Sequence, residues 1–69
     1  MKQRDIGFIQ GMACAIKIVH YNDGVYAAAG LLANTNMPLS EFEKFADKSD
    51  LEAIREAAAV NGGVAKNNF

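Results

Sequence analysis

An all-α fold follows from three features of the sequence. Residues Ile6 to Val19 form a run of fourteen in which only Gln10 and Lys17 are polar. Two Ser-x-x-Glu pairs further along, Ser40 with Glu43 and Ser49 with Glu52, have the spacing of capping boxes at helix starts. The segments flanking the clearest turn, Asn22-Asp23-Gly24, lack the two-residue alternation of strands, so a β-hairpin is rejected there.

The first helix is placed at about 4–21. Asp5 sits in its first turn and His20 in its last, as the helix macrodipole prefers. Ile6, Ile9, Ala13, Ile16 and His20 make one line at helical spacing. Phe8, Met12, Ala15 and Val19 make a second, and Gly7, Gly11, Cys14 or Ala15, and Ile18 a third. A helix apolar nearly all round must be covered nearly all round. The rest of a 69-residue chain covers about half of it, so further copies of the chain are expected to cover the remainder. The interface expected for a dimer or larger species is Gly7, Phe8, Gly11, Met12, Ala15 and Ile18. Its two glycines leave a shallow groove for close helix approach.

The turn at Asn22-Asp23-Gly24 leads into a second helix at about 24–33, with Asn22 or Asp23 as its N-cap. Its small residues, Ala27 to Gly30 and Ala33, suggest that it lies along the glycine face of the first helix as an αα-hairpin. Asn34-Thr35-Asn36 and Pro38 end it. A short third helix at about 40–46 carries Phe42, Phe45 and Ala46. A fourth at about 50–60 turns Leu51, Ile54 and Ala58 inward. Asn61-Gly62-Gly63 stops it. Residues 1–62 thus read as one small domain, and 63–69 as a mobile tail whose Phe69 could alternatively dock in a partner groove.

Composition excludes several classes. A core of this size rarely supplies more than roughly 3–5 kcal/mol, and such scaffolds lean on disulfides, a metal or oligomerisation. Cys14 is the sole cysteine and His20 the sole histidine, so neither an internal disulfide nor a four-ligand zinc site is available. Seven Lys and Arg face eight Asp and Glu, with the basic residues scattered, which argues against nucleic-acid binding. The last two helices resemble a helix-turn-helix in order, but Asp50, Glu52 and Glu56 around Arg55 would repel phosphate. The apolar run falls short of a membrane span of ~20 residues. The Met-Lys start lacks a cleavage signal (Ala13-Cys14-Ala15 only mimics one), so the expected location is cytoplasmic.

No catalytic or metal-binding set emerges, and no cofactor is expected. Cys14 and His20 are six apart on one helix, about 240° around and about 9 Å along, too far for a nucleophile and its base. Cys14 reads as a small buried hydrophobe. Lys17, His20, Tyr21, Asn22 and Tyr26 form the candidate surface for a partner protein or small molecule at the hairpin tip. The blander reading there has His20 meeting the helix-end carbonyls and Asp23 while the tyrosine rings pack. Glu41/Glu43 and Asp47/Asp50 are read as helix-start charges on a solvated surface.

Arg4-Asp5-Ile6-Gly7-Phe8-Ile9-Gln10-Gly11, taken with Ser49-Asp50-Leu51-Glu52-Ala53-Ile54-Arg55, resembles small all-helical proteins encoded by phages and prophages. Lys48-Ser49 departs from that pattern, which has an acidic and aromatic pair there. The resemblance implies a phage-type accessory protein and carries over no site residue. The function expected from all of this is a non-enzymatic, self-associating binder that occupies or inhibits a host protein. The alternative is an oligomer that binds or sequesters a nucleotide-like small molecule between subunits.

Overall fold

The computed structural model describes residues 3–62, and the tail expected at 63–69 lies outside them. Four helices follow in order: α1 (Gln3–Asp23), α2 (Val25–Asn34), α3 (Leu39–Phe45) and α4 (Lys48–Val60). There is no strand among the described residues, so the all-α class predicted from the sequence is what the chain adopts.

One core unites them. Ile9, Ala13 and Ile16 of α1 meet Ala28, Ala29 and Leu32 of α2, Phe42 of α3, and Leu51, Ile54, Ala57 and Ala58 of α4. Phe42, Ile16, Leu32 and Ile54 are the largest fully buried side chains. The inward face expected for α4 is correct and widens to include Ala57.

The hairpin differs from the sequence reading in which line of α1 receives α2. Gly7 and Gly11 are exposed, and a Cβ built on either meets nothing within 4 Å. The α2 alanines instead join the isoleucine line. That line offers Ile6, Ile9 and Ile16 to remove from water, whereas the glycine line offers one isoleucine, Ile18.

The helix boundaries also move. α1 continues through Asn22 and Asp23, and Gly24 alone joins it to α2, with φ 97. Gly24 N–H donates to the His20 carbonyl at 3.1 Å, and the Gly24 carbonyl accepts from Ala28 N–H at 3.2 Å. The N-cap of α2 is therefore Gly24, with no side-chain cap, and not Asn22 or Asp23. A single glycine with positive φ makes the corner that a three-residue turn was expected to make.

Neither capping box forms. Pro38 caps α3 and Asp47 caps α4, both with extended backbone and no side-chain hydrogen bond, so Ser40 and Ser49 lie inside the first turns. A serine caps only while its own backbone stays extended. Both helices start two residues earlier than those boxes require, which brings Leu39 onto the core and gives Asp50 a place facing α1.

The remaining breaks follow the sequence closely. Thr35 Oγ1 donates to the Leu32 carbonyl at 2.7 Å and accepts from Met37 N–H at 3.2 Å, while Asn36 takes the left-handed conformation at φ 57. Asn61 Nδ2 donates to the Ala29 carbonyl at 3.0 Å, and Gly62 at φ 75 ends α4.

Candidate binding surface on the first helix

Burying the isoleucine line of α1 turns its opposite side outward. Gly7, Phe8, Gly11, Cys14, Ile18 and Tyr21 are all exposed there. Phe8 is 61% exposed, Ile18 53% and Tyr21 88%, large values for side chains of this size. Of the expected interface, Met12 and Ala15 are half-buried, and Met12 packs against the core as well. Cys14, expected to be buried, is exposed. Its neighbours in sequence are apolar on both sides, so a thiol there could face either way, and the core is built from the residues at 9, 13 and 16 instead.

Along one flank of this surface runs a shallow groove of about 280 Å³ lined by Cys14, Lys17, Ile18, Tyr21, Asn22 and Asp50. Asp50 comes from the first turn of α4, where a negative charge is favoured by the helix dipole. It is buried at the groove floor, with Lys17 Nζ 3.8 Å from its Oδ1. The sequence reading placed Asp50 on the solvated surface. Its burial depends on Lys17, thirty-three residues away, a pairing that no local spacing signals.

The hairpin-tip cluster divides. Lys17, Tyr21 and Asn22 line the groove. His20 turns toward α4, where its Nε2 lies 2.7 Å from Glu56 Oε1, and not toward Asp23. That contact is an ion pair only when the imidazole is protonated. Tyr26 stands apart on α2 and is exposed, so neither tyrosine packs its ring into the body. On the far side Arg55 and Glu43 form an exposed contact of 3.5 Å. Glu41, expected in solvent, is half-buried, and its Oε2 has no hydrogen-bond partner among the described residues. No three His, Cys, Asp or Glu side chains among the described residues gather around a point where a metal could sit. No helix among them is long and apolar enough to cross a membrane.

No family model, curated protein or solved structure matches this chain.

Proposed function

We propose that this chain is a non-enzymatic binding protein that self-associates through α1 and acts by occupying a partner protein. The observation that carries the reading is the outward side of α1, where Phe8, Ile18 and Tyr21 stand exposed with Gly7, Gly11 and Cys14, and where Lys17 lies at the flank. Large apolar side chains exposed on one side of a helix supply what a protein interaction site needs. The sequence resemblance to phage-encoded accessory proteins supports a host protein in the cytoplasm as that partner, with inhibition as the consequence.

The test is a pull-down from host lysate with wild type and with Ile18→Asp, each tagged at either terminus. Ile18 is exposed, so the charge spoils the surface and spares the core. A partner retained by wild type and lost by Ile18→Asp supports the reading. Recovery of nothing above background by any tagged form rejects it.

The groove favours a second reading, a small-molecule binder. Tyr21 offers a ring to stack on, Ile18 an apolar wall, and Asn22 a donor and an acceptor. The Asp50 carboxylate at the floor opposes an anion beside it, so a nucleotide would have to turn its phosphates away from α4. Thermal shift against nucleotides and cationic amphiphiles separates the two readings, since a ligand at 100 times its Kd adds about 2.7 kcal/mol. Absence of any shift retires this second reading.

A further inference from the structure

Asp50 is only 9% exposed and lines the groove, yet no hydrogen bond among the described residues reaches its carboxylate. Its ionic neighbour, Lys17 Nζ, stands 3.8 Å from Oδ1, beyond hydrogen-bond length. A carboxylate offers about four acceptor sites, and burying them without donors costs free energy. The Lys17 side chain is 46% exposed, and its ammonium also makes no hydrogen bond among the described residues. The groove therefore holds an anion and a cation side by side, each with unused hydrogen-bonding capacity, next to the apolar surfaces of Ile18 and Tyr21.

We propose that the groove binds a free α-amino acid with an apolar side chain, its ammonium on Asp50 and its carboxylate on Lys17. The inference rests on the small-molecule reading above and names the class of ligand. Charge decides between the candidates. An anion meets the Asp50 charge at the groove floor. A neutral apolar ligand strips water from both charges and returns no hydrogen bond. A simple amine satisfies Asp50 but comes close to the Lys17 ammonium, where like charges repel. A metal ion lacks ligands, since no three His, Cys, Asp or Glu side chains gather among the described residues. A zwitterion meets none of these obstacles. Its two charges oppose those of Lys17 and Asp50, so it lies across the pair as an antiparallel dipole and neither side chain loses its partner.

Size agrees with this class. The groove, at about 280 Å³, is just smaller than the ~300–1,000 Å³ of pockets for drug-sized ligands, which suits a molecule of amino-acid dimensions. Ile18 offers the ligand's side chain an apolar wall, and Tyr21 offers a ring on which an aromatic one can stack. Both stand more than half exposed in the protomer, so a ligand removes from water apolar surface that the fold leaves wet. The groove is shallow, and the affinity expected is modest, with a Kd of about 1 mM.

The experiment is an NMR titration of the isotope-labelled protein at neutral pH with L-phenylalanine, phenethylamine and hydrocinnamate, which share a ring and differ in their charged groups. L-phenylalanine is expected to shift the amides of Ile18, Tyr21 and Asp50. The amine and the acid each lack one charge-assisted hydrogen bond and are expected to bind at least about tenfold more weakly. Asp50→Asn is expected to weaken phenylalanine binding by a similar factor while keeping its helical circular dichroism. Should that variant fail to fold, Lys17→Gln carries the test at a half-exposed position, by losing the preference for phenylalanine over phenethylamine. An amine or acid that binds as tightly as phenylalanine overturns the amino-acid site and leaves a small-molecule groove in place. So does a Lys17→Gln protein that keeps the full preference. Shifts that map away from the groove, or no shift with any of the three up to ~50 mM, also overturn the site. If the nucleotide panel is silent as well, the small-molecule reading goes with it.

Discussion

Replacing Gly62 by alanine forces a Cβ onto a backbone held at φ 75. The expected cost is about 1 kcal/mol or more, read as a lower urea midpoint. Gly11→Ala goes the other way. Its site is open and helical, so stability of the dilute protomer rises by roughly 0.5–1 kcal/mol. Phe42 is the most exacting residue of the core. Phe42→Ala is expected to remove about 3–5 kcal/mol, comparable to all that a core of this size holds, so the far-ultraviolet spectrum of the variant should be that of an unfolded chain. Phe42 could be picked out from the sequence because its helix has a polar side that orients it. Cys14 could not. On a helix apolar around its whole circumference, the sequence does not say which line faces the core, and that choice is made by what α2 and α4 bring to it. Asp50 and Glu56 were hidden for a related reason, since their partners Lys17 and His20 lie more than thirty residues away.

At the scale of elements, the order and number of helices were legible because the turns are written in residues with strong local preferences. Asn36, Pro38 and Gly62 each hold the backbone angle that their chemistry favours. The starts of α3 and α4 were misplaced because a capping box is a local signal, and burial of Leu39 and Asp50 overrides it. A mutational consequence follows. Ser40→Ala and Ser49→Ala should each change stability by no more than about 0.5 kcal/mol, against about 1 kcal/mol for the loss of a genuine serine cap, as measured by chemical denaturation. Asn61→Ala, by contrast, removes the side-chain hydrogen bond that fastens the end of α4 to α2 and should cost about 1 kcal/mol in the same measurement.

For the whole molecule, the Cα extents of 30 × 27 × 16 Å describe a slab only two helices deep. In so thin a body each helix keeps one side toward solvent. What differs for α1 is that its outward side carries Phe8, Ile18 and Tyr21 where α4 places Glu52, Arg55 and Glu56. The slab's geometry has another consequence at Gly24. This residue is the whole of the connection between α1 and α2, and each neighbour on either side is already helical. The corner therefore exists because one backbone angle is positive, and an alanine there would favour the angle that continues the helix. Gly24→Ala should straighten Gln3 to Asn34 into a single rod, carrying α2, α3 and α4 away from their own α1. Those helices would then find an identical α1 on a second rod, and the variant should elute as a domain-swapped dimer.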